Sequence, residues 1–376
     1  MLAADVYNLV RENGIDFFTG VPDSLLADFC AYLADTVPSG QNIIAANEGS
    51  AAALACGHYL ATGNVALVYM QNSGQGNAVN PLLSLADPEV YSIPMLLVIG
   101  WRGEPGVHDE PQHIKQGRVT CALFDAMEIP YEIMPNSLEE CTEVLRRLFA
   151  AMRERKGPAA LIVKKGSFEK YARAAQPGAN YELNRENALG LIIEQLQPRD
   201  AIVSTTGMTS RELFELREAR GEGHGNDFLT VGSMGHAISI ALGVALARPA
   251  RQVFCIDGDG AALMHMGALP VAATLGAANL KHIVINNGAH DSVGGQATCA
   301  FSIDLAAIAK ADGYRWAERA ETSAEITQAV RALRDQAGPA FLEIRVRKGA
   351  RKDLGRPTTS TYQNRDAFMQ FLRDEP

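Results

Sequence analysis

The segment Ile256-Asp257-Gly258-Asp259-Gly260, followed after 25 intervening residues by Asn286-Asn287-Gly288, constrains this chain more than any other feature. The stretch between reads as a helix through Ala262 to Gly276 and a strand through His282 to Ile285, which makes one βαβ unit. A right-handed crossover places both ends of the motif at the carboxyl edge of neighbouring parallel strands, where open α/β sheets bind ligands. The Asp259 carboxylate and the Asn287 side-chain oxygen then face one point. A few hard oxygen donors suit Mg²⁺ bridging to phosphates, and Gly258 and Gly260 let the backbone approach them. Taken alone, Asp-Gly-Asp-Gly reads equally well as a turn after a strand; the asparagine pair at the end of the next strand separates the two readings. A nicotinamide site is disfavoured, because no Gly-x-Gly-x-x-Gly follows the first strand of either half.

The rest of the chain supplies a matching framework. Short apolar runs at Ile43-Ile44-Ala45-Ala46, Val65-Ala66-Leu67-Val68-Tyr69, Met95-Leu96-Leu97-Val98-Ile99 and Ala160-Leu161-Ile162-Val163 alternate with helical stretches in the first half. The second half repeats the style at Ala201-Ile202-Val203-Ser204, Phe228-Leu229-Thr230-Val231, Gln252-Val253-Phe254-Cys255-Ile256, His282-Ile283-Val284-Ile285 and Ala340-Phe341-Leu342-Glu343-Ile344. Strands buried on both faces of a parallel sheet require such runs. The pattern lapses near Ala174-Ala175-Gln176-Pro177-Gly178. We therefore expect one α/β parallel-sheet domain over 1–172, a linker over 173–184 and a second domain of similar build over 185–376.

Composition limits the function. With 376 residues, 47% of them hydrophobic and 20% charged, the chain is globular and can bury two cores. No basic stretch precedes an apolar run at Met1-Leu2-Ala3-Ala4-Asp5-Val6, and no run reaches the roughly 18 apolar residues of a membrane span, so a cytoplasmic protein is expected. A net charge of −9 without a basic cluster argues against nucleic acid or an anionic membrane as partner. It also means that an anionic ligand must be held by a few local cations. The six cysteines, Cys30, Cys56, Cys121, Cys141, Cys255 and Cys299, are widely spaced in mostly apolar surroundings and read as reduced structural thiols.

The spacing of the glycine-aspartate and asparagine motifs resembles that of the thiamine-diphosphate-dependent enzymes, the family of pyruvate decarboxylase and acetolactate synthase. The resemblance implies thiamine diphosphate and Mg²⁺ as cofactors, with Asp259 and Asn287 as metal-ligating side chains and the Ala289 carbonyl as a third ligand. Further cofactor contacts are implied for Asn72, Thr206, Gly207, Gly232, Ser233, Met234, Gly258, Gly260, Ala261, Ser292 and Val293. In Val231-Gly232-Ser233-Met234-Gly235-His236, Met234 fits the apolar prop that bends the cofactor, and the Gly232 carbonyl an acceptor for its amino group. Without the metal motif, Met234 would read as core packing. The two domains become a pyrimidine-binding and a diphosphate-binding domain, with no room for the middle domain of the larger relatives.

Thiamine chemistry also needs a carboxyl group beside the aminopyrimidine, to favour the imino tautomer that takes the thiazolium C2 proton. Ala45-Ala46-Asn47-Glu48-Gly49-Ser50 offers Glu48 between a strand and a helix rich in small residues. An acid there also suits the helix dipole alone; the metal motif in the other half favours the catalytic reading. In the family this glutamate acts on cofactor held by another subunit, which implies a homo-oligomer, at least a dimer.

Three first-half loops carry the substrate expectation: Gly20-Val21-Pro22-Asp23-Ser24, Gln71-Asn72-Ser73-Gly74-Gln75-Gly76-Asn77 and Gly103-Glu104-Pro105-Gly106-Val107-His108-Asp109-Glu110-Pro111-Gln112-His113. Each alone is ordinary turn chemistry. Together with Ser204-Thr205-Thr206-Gly207-Met208-Thr209-Ser210-Arg211, they resemble the phosphonopyruvate decarboxylases and, more distantly, the two-subunit sulfopyruvate decarboxylases. The implied reaction is non-oxidative decarboxylation of 3-phosphonopyruvate. Asp23 or His113 is expected to handle protons, and Ser24, Asn72, Ser73, Gln75, Arg102, His113 and Lys115 to hold the substrate. Arg102 and Lys115 read equally well as solvated loop cations, and Lys164-Lys165 as surface. No adjacent His-His pair is present, so the acid-base histidines of pyruvate decarboxylase do not carry over. The alternatives are decarboxylation of sulfopyruvate or another 2-oxoacid, carboligation, and a non-catalytic thiamine-diphosphate-binding regulator, against which Glu48 speaks.

Overall fold

A computed structural model describes residues 1–174 and 179–374. The chain divides into two units, Met1–Gln176 and Pro177–Pro376. The first contains β1 (Phe18–Gly20), β2 (Asn42–Ile44), β3 (Ala66–Gln71), β4 (Met95–Gly100), β5 (Tyr131–Ile133) and β6 (Ala159–Val163); the second contains β7 (Ala201–Ser204), β8 (Asp227–Leu229), β9 (Val253–Gly258), β10 (Leu280–Asn286), β11 (Trp316–Ala320) and β12 (Ala340–Arg345). Every pairing is parallel. The orders are β2-β1-β3-β4-β6-β5 and β11-β12-β10-β9-β7-β8, so each unit arranges its own strands as second, first, third, fourth, sixth, fifth.

Strand periodicity explains the apolar runs. Along β3, Leu67 and Tyr69 enter one core while Ala66, Val68 and Met70 enter the core on the other face. Along β9, Val253 and Cys255 separate in the same way from Phe254 and Ile256. Helices cover both faces, as a parallel sheet requires. Leu138–Arg155 is one: Ser137 caps it by accepting from Glu140 N–H, and it buries Cys141, Val144, Leu145, Leu148, Phe149 and Met152.

Several expectations need correction. The helix expected over Ala262 to Gly276 is two, Asp259–Met264 and Ala268–Leu275. Pro270 lacks the N–H that a continuous helix would bond to Met266, so it is accommodated in the first turn of a new helix instead. The expected strand through Thr230-Val231 stops at Leu229. Strands β1, β5 and β11 carry no apolar run: β1 is only Phe-Thr-Gly, and β5 and β11 are half-exposed sheet edges containing Glu132, Glu318 and Arg319. The thiols are free, but Cys299 is exposed and Cys121 half-buried, because they lie on a loop and a helix surface rather than in the sheets. Of the expected linker, residues 175–178 lie outside the described residues, Ala174 N–H bonds Asp35, and Asn184 bridges to Arg347. Among the described residues, no helix is long and apolar enough to cross a membrane.

Candidate active site

In the second unit, the strand order reverses between β7 and β9, and ligands of open α/β sheets gather at the carboxyl edge of such a switch. The expected cofactor residues leave from this edge: Thr206-Gly207 after β7, Gly232-Ser233-Met234 after β8, Gly258-Asp259-Gly260-Ala261 at the end of β9, and Asn287 onward after β10. β9 and β10 are paired, with Gly258 opposite Ile285. Asp259 is therefore beside Asn287, whose backbone N–H it accepts, and Thr298 donates to the same carboxylate at 2.5 Å. Burial pushes the Asp259 carboxyl up to about 6, against those hydrogen bonds.

The neighbouring loops converge on this point. A side chain at Gly260 would lie 3.3 Å from the Met234 methyl and 2.9 Å from the His290 ring, and one at Gly207 would lie 3.8 Å from Ser292 Oγ. Ser233 is held at φ 54°, a left-handed conformation costly for a residue with a Cβ. Val293 follows Ser292 in a short 3₁₀ turn at the same edge.

The donor set fits a hard divalent cation. Asp259 is a buried carboxylate that accepts from neutral donors, the Thr298 hydroxyl and backbone N–H groups. Asn287 Nδ2 donates to Asp291 at 2.8 Å, which turns Oδ1 the other way; Oδ1 accepts from Ala289 N–H at 3.0 Å and keeps a lone pair. Ala289 and Ala297 form a bridge whose ladder bonds are made by Gly288 and His290, so the Ala289 carbonyl stays out of the ladder. Carboxylate, amide and carbonyl oxygens are the ligands Mg²⁺ takes. Nothing lies within 4 Å of where a Gly258 side chain would project, which leaves room beside them.

The first unit has its own switch between β1 and β3. Glu48 begins the helix Glu48–Thr62, which Asn47 caps by accepting from Ser50 N–H. Its carboxylate is buried, accepts from Asn77 Nδ2 at 2.7 Å, and packs over Gly74, where any side chain would collide with it at 2.4 Å. Asp23, after β1, is fully buried beside Gly100, where again only hydrogen leaves space. Asp23 accepts from Gln71 Nε2 at 2.5 Å and Leu25 N–H at 2.9 Å, and Ser73 Oγ donates to Gln71 at 2.8 Å. Burial raises the Asp23 carboxyl above its ordinary range, against the pull of Gln71, the Leu25 N–H and the Arg102 charge.

Arg102 follows β4. Its Nε and Nη2 donate to Asp109 at 2.8 and 2.5 Å, and its Nη1 donates to Ser24 at 2.9 Å. Burial works to raise the Asp109 carboxyl, but Arg102 and the Gly103 N–H bring it down to about 2. His113, on the helix Pro111–Ala126, is buried with Nδ1 unpartnered, and burial together with the Arg102 charge lowers it to about 4. Burial thus works against a positive charge on His113, the form in which it would pair with an anionic head group.

Asn72, expected at both cofactor and substrate, acts here as a strut. Its Nδ2 donates to the Arg102 carbonyl and to Thr120 Oγ1, both at 2.8 Å, and its Oδ1 accepts from Arg102 N–H at 3.1 Å. Gln75 is buried with Oε1 unpartnered, and Lys115 is exposed on the helix face. Lys164 pairs with Glu104 at 2.8 Å. Gln71, Asn77 and Asp109 sit within the quoted loops, but sequence reasoning assigned them no role. Thr298 and Asp291 lie beyond the asparagine pair, where sequence reasoning assigned them no role.

Residues 205–344 match the C-terminal TPP binding domain of thiamine pyrophosphate enzymes, and residues 2–128 the N-terminal TPP binding domain. Phosphonopyruvate decarboxylase of Streptomyces viridochromogenes is 33% identical over 100% of this chain and 96% of its own length. A phosphonopyruvate decarboxylase of Streptomyces hygroscopicus is 34% identical over 99% of this chain and 94% of its own. Sulfopyruvate decarboxylase of Methanosarcina acetivorans is 26% identical over 92% of this chain and 91% of its own.

Proposed function

We propose, from the premise that the chain belongs to the thiamine-diphosphate-dependent decarboxylases and carries both of their cofactor-binding domains, that it decarboxylates 3-phosphonopyruvate to phosphonoacetaldehyde and CO₂. The observation that carries this reading is Arg102, aimed by Asp109 toward Ser24 at the edge where the buried acid Asp23 sits. A guanidinium has five N–H donors; three are committed to Asp109 and Ser24, and two remain for an anionic head group.

In this reading Asp259, Asn287 and the Ala289 carbonyl would hold Mg²⁺, which would offset the charge of the diphosphate. Gly207, Gly232, Met234, Gly258, Gly260 and Ser292 form the bed for the cofactor. Bound there, thiamine diphosphate supplies the nucleophilic carbon and the electron sink for the departing carboxyl group. Glu48, held by Asn77, protonates the pyrimidine ring nitrogen. Asp23, whose carboxyl burial raises above its ordinary range, is the acid that protonates the decarboxylated product, with Gln71 fixing its carboxyl group. Glu48 serves cofactor held by a partner subunit, so the working protein is at least a homodimer.

Steady-state assays with phosphonopyruvate, sulfopyruvate and pyruvate, in Mg²⁺ and thiamine diphosphate with the aldehyde identified, test the reading. Phosphonopyruvate is expected to have the highest kcat/KM. A preference for sulfopyruvate, the substrate in the name of the Methanosarcina acetivorans relative, would reassign the head group, and absence of any aldehyde would remove the enzymatic reading.

A further inference from the structure

Asn287 has an amide that looks nearly symmetric but has a donor end and an acceptor end, and only the acceptor end can ligate a cation. Asp291 Oδ2 accepts from Asn287 Nδ2 at 2.8 Å, from Gly349 N–H at 2.9 Å and from Arg185 Nη1 at 3.3 Å. Arg185 in turn donates through Nε and Nη2 to the two oxygens of Glu212 at 2.7 and 2.8 Å. The side chains of Glu212, Arg185 and Asp291 are 0, 7 and 11% exposed. A buried chain of charge-assisted bonds thus runs from the helix Met208–Ala219 through the first residue of the helix Arg185–Gln195 to the amide of Asn287.

We propose that Asp291 is a positioning residue that fixes which end of the Asn287 amide faces the cation. An ionised carboxylate only accepts, so the amide nitrogen turns to Asp291 and Oδ1 is presented to the side of Asp259 and Ala289. Arg185 holds Asp291 in place, and Gly349 ties the segment after β12 to the same oxygen. Nothing about Asp291 requires that it touch substrate or cofactor. The inference rests on the reading of Asn287 as a magnesium ligand.

A double-mutant cycle on the full chain tests it, with Asn287→Ala, Asp291→Asn and both together. Calorimetric titration of thiamine diphosphate at a series of Mg²⁺ concentrations gives the half-saturating Mg²⁺, and thermal melts without cofactor give Tm. In Asp291→Asn either amide orientation finds a partner, so the half-saturating Mg²⁺ is expected to rise by about 10- to 100-fold. In the Asn287→Ala background the same change is expected to leave Mg²⁺ dependence unmoved, whereas Tm couples the two changes through the hydrogen bond they share. An equal Mg²⁺ effect in both backgrounds, or none in either, overturns the positioning role. Unchanged Mg²⁺ dependence in Asn287→Ala itself overturns the ligand reading instead. Should Asp291→Asn not fold, Asp291→Glu keeps the charge near Arg185 while displacing the acceptor from Asn287, and carries the same comparison.

Discussion

Asp109 grips Arg102 through two parallel hydrogen bonds, at 2.8 and 2.5 Å, and leaves the third guanidinium nitrogen to donate to Ser24 at 2.9 Å. The carboxylate also accepts from the N–H groups of Gly103 and Glu110, so the loop holds the acid and the acid holds the arginine. Asp109 already pairs with the loop cation that faces an anionic substrate in our reading. Arg102 therefore contributes directed hydrogen bonds there more than net positive charge.

Asp109→Asn is expected to lower kcat/KM for phosphonopyruvate by about 10- to 100-fold, the size of one charge-assisted bond of roughly 1.5–3 kcal/mol. Its effect on pyruvate is expected to be small. Arg102→Lys should lose as much, because an ammonium cannot reproduce the fork that meets Asp109 and Ser24 together. Paired kinetics on the two substrates check this; equal losses on both would assign the pair to folding or to the shared chemistry.

Glu48→Gln is expected to bind thiamine diphosphate nearly as well as the wild type and to turn over about 10²- to 10⁴-fold more slowly, the usual range for a lost acid-base group. An amide keeps the shape and the contact with Asn77 but has no proton for the ring nitrogen. Cofactor affinity by titration and kcat from the same preparation separate binding from chemistry.

Asp259→Ala is expected to weaken Mg²⁺-dependent cofactor binding by at least about 100-fold, since loss of even an outer-shell partner costs about 10- to 100-fold. The cofactor-free protein should keep its fold, because burial already disfavours the ionised Asp259 carboxylate when no cation is bound. Wild-type affinity in this variant would move the metal elsewhere.

The pH dependence of stability carries a signature of His113. Its ordinary value is 6.5 and burial lowers it to about 4 in the folded chain, so between those values the unfolded chain binds more protons. The contribution of His113 is fully present above about pH 6.5 and is lost progressively as the pH falls toward 4. Thermal melts of cofactor-free wild type and His113→Gln over that window should show a shallower acid loss in the variant. The kcat/KM profile should show no His113 inflection near pH 6.5.

The Asp-Gly-Asp-Gly and Asn-Asn segments were legible without coordinates because a βαβ unit converts a fixed spacing into a fixed juxtaposition: β9 and β10 pair, and Asp259 meets Asn287. The long buried strands were legible for a related reason, since a strand covered on both faces must be apolar throughout. β5 and β11 were not, because sheet edges tolerate charge, and β1 was too short to form a run. The break at His265 to Gly267 was hidden because Pro270 fits a first helical turn as readily as it ends a helix.

The sequence, with the resemblance its motifs carry, put forward Glu48, Asp23, Arg102, Asp259 and Asn287 as candidate positions. Which partner each one meets was decided only by the folded chain: Asn77 for Glu48, Gln71 for Asp23, Asp109 for Arg102, Thr298 for Asp259 and Asp291 for Asn287. Partnership of this kind depends on side-chain direction at the ends of strands distant in sequence, and no periodicity encodes it. Burial decided the rest. The same histidine and aspartate types titrate near their ordinary values in water, and it is the low-dielectric surroundings supplied by packing that lower His113 and raise Asp23.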